Sequence, residues 1–158
     1  MTAEAHSLAM ALRSAYLTMH RKADTYFARF GVTADQLVLL QILADEGAVT
    51  QQQLVKRASS DPNTVRAMLL LLEGRGFVSR KPHPVDGRAR SVSLTKKGRR
   101  VCERLDSARE PFLAQMVSVY QPEEVAILLE LLGRLPLALA ARADSPAGCQ
   151  PSVIAEGK

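Results

Sequence analysis

Aromatic residues make up only 4% of this chain and tryptophan is missing altogether, whereas leucine and alanine are plentiful. That balance suits a mostly helical protein, because alanine and the unbranched-at-Cβ aliphatics lose little freedom in a helix. Cysteine is scarce too. Cys102 and Cys149 are the only two, and neither belongs to a CxxC pair, which argues against both a disulfide framework and a zinc cluster. The three histidines, His6, His20 and His83, are scattered, so no metal site is expected. No stretch approaches the roughly 18 apolar residues of a membrane span, and Glu4 and His6 come too early for a signal peptide. The expected location is therefore the cytoplasm, with no membrane partner. Catalytic signatures are lacking as well: there is no Gly-rich phosphate loop, no HExxH and no nucleophile–base pair at a usable spacing. Neither an enzyme nor a bound cofactor is expected.

What is present is a chain of 158 residues with 47% apolar content, enough for one compact domain or a domain with helical arms. The net charge of +5 is unevenly spread. Residues 50–100 hold 12 Lys and Arg against 3 Asp and Glu, a net +9, while the remainder carries a net −4. One basic segment between acidic arms favours a polyanionic partner over mere solubility, although a solvated basic face has the same composition.

Asp61 to Thr95 organises the rest. Asp61 is a good N-cap, and Pro62 fits a first helical turn because its missing N–H costs nothing there. The helix runs to Leu72 and closes at Gly74 and Gly76. Phe77 to Lys81 has strand character, Pro84-Val85-Asp86-Gly87 is a turn signal, and Ser91-Val92-Ser93-Leu94 alternates polar and apolar like a half-buried strand. The turn is flanked by Arg80, Lys81, Arg88 and Arg90. A helix followed by a hairpin with arginines at its tip is the shape of a winged helix-turn-helix. Arginines there can enter a narrow minor groove. Asp86 is better suited to bonding turn amides or holding an arginine than to meeting DNA, and His83 reads as a solvated residue.

Upstream, residues 4–30 form a long helix whose stripe is Leu8, Leu12, Ala15, Met19, Ala23, Phe27 and Phe30. Gly31 ends it. Thr33 to Glu46 is a second helix and Thr50 to Ala58 a third, each opened by Thr-x-x-Gln, a capping box (Thr33 with Gln36, Thr50 with Gln53). With the helix after Asp61 they make a helix-turn-helix. Val65, Met68, Leu69 and Leu72 share a buried face there, which leaves Asn63, Thr64, Arg66 and Ala67 on the open side. Arg can pair with guanine, Asn with adenine, and a Thr or Ala methyl can touch thymine. The full DNA-contact set expected is Asn63, Thr64, Arg66, Ala67, Arg88 and Arg90, with Gln51 and Lys56 on the preceding helix and Asp86 as wing support. Met68 to Leu72 is five apolar residues in a row, more than one face buries. Either this helix packs on two sides or Leu70 and Leu71 are exposed.

Downstream, Thr95 opens a helix with Lys96, Lys97, Arg99 and Arg100 in its first turns, where cations oppose the helix dipole. That placement points to a separate use such as phosphate contact, or to solvated charge. Val101, Leu105, Ala108, Phe112 and Val119 continue a stripe, and Pro111 should kink or break it. A last helix starts at Gln121-Pro122-Glu123-Glu124. Its stripe is Val125, Leu128, Leu132, Leu135 and Leu139, and Pro136 ends or bends it. The expected fold class is mainly α (α+β): a winged helix-turn-helix over 32–99, with a dimerisation helix over 1–31 and C-terminal dimerisation helices over 100–142. The composition of 143–158 predicts a disordered tail. The outer stripes cannot be buried by single helices, and a homodimer around a two-fold axis resolves this. Two reading helices would then meet successive major grooves roughly 34–36 Å apart on a pseudo-palindromic site in double-stranded DNA.

The sequence resembles the MarR family of transcriptional regulators over residues from about 5 to 142. The resemblance is carried by Asp61-Pro62-Asn63-Thr64-Val65, by Leu72-Glu73-Gly74-Arg75-Gly76-Phe77-Val78-Ser79-Arg80, and by Asp86-Gly87-Arg88 followed by Leu94-Thr95-Lys96-Lys97-Gly98. It implies a dimer that binds short inverted repeats and represses nearby genes. It also implies small effectors, often aromatic acids or phenols, which bind between the dimer arms and the winged domain and release DNA. By motif it puts Asn63, Thr64, Arg66 and Ala67 at groove-facing positions, Arg88 at the wing tip and Asp86 in support of that arginine. Ala67 and Leu70 depart from it, standing where the family is often polar. Peroxide-sensing members carry a reactive cysteine in the first helix, which is lacking here; Cys102 fits a buried inert thiol. For an effector pocket the sequence offers Tyr16, His20 and Arg21, of which His20 or Arg21 could pair with a carboxylate; ordinary surface or interface residues are the plainer reading. Two alternatives stay open: a winged-helix regulator without ligand control, and a winged-helix module that binds protein.

Arg88→Ala is expected to weaken duplex binding while leaving the dimer intact. Unchanged operator affinity in a titration of that variant would sink the wing assignment.

Overall fold

The structure, a computed structural model, describes residues 2–82 and 90–140. The helices are α1 (Thr2–Phe27), α2 (Ala34–Glu46), α3 (Gln51–Arg57), α4 (Pro62–Gly74), α5 (Lys96–Val117) and α6 (Pro122–Ala140), with a 3-10 turn at Ala28–Phe30. Strands β1 (Val49–Thr50), β2 (Val78–Pro82) and β3 (Arg90–Leu94) form one antiparallel sheet in the order β1-β3-β2. The turn at Pro84 to Gly87, with His83, Asp86 and Arg88, and the tail beyond Ala140 lie outside the described residues. No single helix among the described residues is long and apolar enough to cross a membrane.

The helix starts are chemical. Thr33 Oγ1 accepts from the Gln36 amide at 3.2 Å while Gln36 Oε1 accepts from the Thr33 amide at 3.2 Å. Thr50 and Gln53 repeat the pair at 3.2 and 2.7 Å. Each box satisfies two of the orphan amides of a first turn. Asp61 caps α4 by accepting from the amides of Asn63 and Thr64 at 3.0 and 2.9 Å, and those bonds from Thr64 hold its carboxyl below the ordinary value.

The described residues up to Phe112 form one compact unit and those from Leu113 to Ala140 another, the division falling inside α5 directly after Pro111 and Phe112. The helix nonetheless runs through Pro111, as α6 runs through Pro136. In the first unit, Phe27, Leu39, Leu40, Leu54, Val65, Leu69, Leu72, Val92 and Leu105 are essentially sealed from solvent. They draw α1's C-terminal end, α2, α3, α4, β3 and α5 onto one core. The N-terminal part of α1 contributes nothing to it: Leu8, Met10, Tyr16 and Met19 are exposed. In the second unit, α6 has no buried residue at all, and its leucines stand open.

The strand β1 was not legible in the sequence. Two residues carry no period, yet Val49 pairs with Val92 and is buried. A second unpredicted feature explains the Leu94-Thr95-x-x-Gly98 run. Thr95 Oγ1 donates to the Gly76 carbonyl at 2.6 Å and accepts from the Gly98 amide at 3.0 Å, while the Thr95 amide donates to the Phe77 carbonyl at 3.0 Å. A Cβ on Gly98 would lie 2.0 Å from the Phe77 carbonyl oxygen. Gly98→Ala should therefore destabilise the fold by about 1–3 kcal/mol or more, since neither backbone segment yields easily. A urea titration with the wild-type midpoint would show the contact to be dispensable.

Candidate nucleic-acid interface

Helix α4 buries Val65, Met68, Leu69 and Leu72, four positions at helical spacing. The remaining face therefore points outward, and Asn63, Thr64, Arg66 and Ala67 are all exposed on its first turns. Lys56 is exposed on α3 and Gln51 half-buried at its start. The turn between α3 and α4 is tight: the amides of Ser59 and Ser60 donate to the carbonyls of Lys56 and Val55, and Ser59 takes a left-handed backbone conformation with φ 48°.

Beside the outer face of α4 lies an open hollow of about 380 Å³, lined by Gln51, Arg66, Leu70, Arg80 and Arg90. It brings together three of the expected contact residues, Gln51, Arg66 and Arg90, from α3, α4 and β3. Asn63, Thr64, Ala67 and Lys56 are outside its lining. Asp86 and Arg88 fall outside the described residues, so the expected wing tip is not part of this geometry.

The sequence reading did not find what positions the wing. Arg80, on β2, donates from Nε and Nη2 to Glu73 Oε2 at 2.9 and 2.5 Å. Its side chain is only 14% exposed, so the pair bolts the first wing strand, β2, to the C-terminal turn of α4. The hydrogen bonds from Arg80 hold the Glu73 carboxyl below its ordinary value of 4.5. The signal lay in the spacing of Glu73 and Arg80 across the Gly74–Gly76 exit, which can be read as a pair only once the chain reversal is known. Leu70 was the other unassigned residue. It is exposed, as is Leu71, so the five-residue apolar run leaves a patch on the surface and is not packed on two sides.

The basic start of α5 divides its labour. Lys97 Nζ donates to the Arg75 carbonyl at 2.8 Å, at the C-terminal end of α4, where a cation complements the helix dipole. Arg99 Nη1 donates to the Leu94 carbonyl at 3.0 Å. Lys96 and Arg100 are exposed. Cys102 is buried, and burial, with Asp106 and Glu103 nearby, pushes its thiol up to about 11, which disfavours the reactive thiolate.

The suggested pocket residues separate. Tyr16 and His20 sit together, ring centroids 5.4 Å apart. His20 Nε2 lies 3.2 Å from Asp35 and Nδ1 lies 3.4 Å from Asp24. Asp24 in turn accepts from the Ala34 amide at 2.7 Å, at the start of α2. Arg21 instead folds back on its own helix, Nε donating to the Leu17 carbonyl.

Comparison with known proteins is consistent. The MarR family model matches residues 32–89. The chain is 35% identical over 97 residues to the HTH-type transcriptional regulator MT0903.1 of Mycobacterium tuberculosis, covering 61% of this chain and 68% of that protein. The chain belongs to the MarR family. Its match spans between 64% and 78% of the length of such curated relatives. Among solved structures, a mutant MarR from Escherichia coli complexed with operator DNA is similar with a TM-score of 0.79 and 26% identity, over 85% of this chain and 97% of that one. BpsR of Bordetella bronchiseptica, whose DNA binding is regulated by 6-hydroxynicotinic acid, is similar with a TM-score of 0.75 and 26% identity, over 87% and 94%. The winged helix-turn-helix of this MarR-family chain is accordingly that of a DNA-binding transcriptional regulator, and the family is not one of enzymes.

Glu73→Gln should cost about 1 kcal/mol at pH 7, because Arg80 loses a charged partner where it is largely screened from water. The depressed carboxyl stabilises the fold above the ordinary glutamate value, and that contribution is lost as pH falls through Glu73's lower folded value. Urea midpoints of wild type and variant should therefore differ at pH 7 and draw together as pH falls below the ordinary glutamate value. An unchanged gap across that range would deny the ionic origin.

Proposed function

We propose that the protein is a dimeric repressor that reads a pseudo-palindromic operator in double-stranded DNA and lets go of it when a small aromatic acid binds. The observation that carries the DNA part is the hollow in which Arg66, Arg80 and Arg90 converge beside the exposed first turns of α4. Among the described residues Arg66 and Arg90 have no ion-pair partner, so their charge is available to phosphates or to guanine edges. Asn63, Thr64 and Ala67 line the rest of the groove-facing helix, and Gln51 and Lys56 approach from α3. The family resemblance supports a minor-groove contact for Arg88 with Asp86 as its support, and both lie outside the described residues.

The dimer is supported by surface chemistry. Leu8, Met10 and Met19 on α1 and the leucines of α6 are apolar side chains left to solvent in a single chain, more than a monomer ordinarily tolerates. A second copy presenting the same helices is the self-complementary partner that symmetry supplies.

Ligand release is supported by the similarity to BpsR and by Tyr16 and His20, an aromatic face beside an imidazole on α1. A ligand carboxylate would compete with Asp24 and Asp35 for that ring. Because Asp24 also bonds the first amide of α2, such competition would be felt where the arm meets the helix-turn-helix. A regulator without ligand control would keep the DNA chemistry and lack this competition.

The test is binding to the DNA upstream of the protein's own gene at several salt concentrations, with and without aromatic carboxylates. Tight binding that falls steeply with salt and is reversed by a carboxylate is expected. Within the same assay, Arg66→Ala should cost roughly 1–3 kcal/mol and relax specificity at one base position. Sequence-specific binding that no ligand alters removes the effector. No sequence-specific binding at any salt removes the repressor and returns the protein-binding module.

A further inference from the structure

Leu70 is out of place for a solvated helix face. It sits one turn after Arg66 and three residues after Ala67, on the side of α4 away from the core, and 50% of its surface is exposed. It lines the hollow with Gln51, Arg66, Arg80 and Arg90. Among the described residues every other member of the lining is polar or cationic, so Leu70 is the apolar element of a cationic concavity. The cations select an anionic occupant, and a leucine beside them is useful only if that occupant presents an apolar group at that depth. Duplex DNA meets both conditions in its major groove, where thymine alone among the bases exposes a methyl group.

We propose that Leu70 is a specificity-determining residue that reads thymine 5-methyl groups in the operator. The proposal rests on the DNA-binding reading above and deepens it. A leucine bonds to none of the polar edges that either base pair presents in the major groove, so its preference rests on the thymine methyl, which gives it an apolar contact that a G·C pair lacks. Ala67, one turn earlier on the same face, is small enough to let the leucine approach the groove floor.

The experiment uses the full-length protein and an operator selected from random duplexes. Each thymine is replaced in turn by dU, which removes only the methyl group, and affinity is measured for wild type, Leu70→Ala and Leu70→Asn. Wild type should lose roughly four-fold at one or two positions in each half-site, the effect of one buried methyl group. In Leu70→Ala the unmodified operator should bind more weakly by a similar factor, and the dU effect at those positions should vanish. Leu70→Asn should shift the selected base there away from thymine. Because Leu70 lies outside the core, both variants should remain folded, with at most a small fall in urea midpoint for Leu70→Asn from its poorer helix propensity. Specific binding with a flat dU profile overturns the assignment and leaves the regulator standing, as does a dU effect that persists in Leu70→Ala. Failure to select any operator overturns the regulator itself, and the assignment with it.

Discussion

The backbone crossing at Phe77 is the constraint on which the DNA-facing side depends. The Phe77 amide closes the end of α4 by donating to the Leu72 carbonyl at 2.9 Å, and its own carbonyl accepts from the Thr95 amide at 3.0 Å. Thr95 reaches across to the Gly76 carbonyl, and Gly98 has no side chain because the Phe77 oxygen occupies that space. Gly76 itself turns the chain with a φ of 74°, a conformation in which a side chain is strained. One residue therefore ties the exit of α4, the first wing strand and the start of α5. Buried backbone groups that lose such partners cost about 1–3 kcal/mol each, so the junction resists the shear that would otherwise let wing and helix move apart.

The same crossing sorts the charges. A net +9 over residues 50–100 counts cations without saying which are already in use. Arg80 is neutralised by Glu73, and Arg57 by Glu46 at 2.7 Å. Lys97 and Arg99 are spent on backbone carbonyls that the chain reversal brings within reach. They still add to the long-range field that draws in a polyanion. The ones able to change partners on contact are those without an ion-pair partner among the described residues, such as Lys56, Arg66 and Arg90, the last of which acts on the Glu73 carboxylate only at longer range. On the proposed DNA reading, attraction and readout would thus be carried by overlapping but different sets of residues.

That division also explains what was legible in the sequence. Local rules are written in local residues. Thr33 with Gln36, Thr50 with Gln53 and Asp61 with Pro62 fixed three helix starts to the residue, and the alternation of Ser91 to Leu94 gave a strand. The exposed set on α4 followed from its buried face. Features that depend on the chain coming back on itself were not readable: the Glu73–Arg80 pair, the carbonyl partners of Lys97 and Arg99, the contact that excludes a side chain at Gly98, and the two-residue strand β1, too short to show a period. Leu70 was intermediate. Its surplus was visible as one of five apolar residues in a row, but only the packing of Met68, Leu69 and Leu72 inward decided that it faces out.

The apolar surplus on α6 carries the argument beyond one chain. A 19-residue helix in water is near the edge of stability on propensity alone. This one starts with Glu123 and Glu124 at the favourable dipole end, and Arg134 pairs with Glu130 one turn away. Those terms are each worth only a few tenths of a kcal/mol. The large reserve is the row of leucines, which contributes only when covered. If a second copy covers it, ordering of this segment and association become one equilibrium, dependent on protein concentration. On the proposed reading, association and base recognition would then draw on different residues: the apolar side chains of α1 and α6 for the one, and the exposed face of α4 for the other.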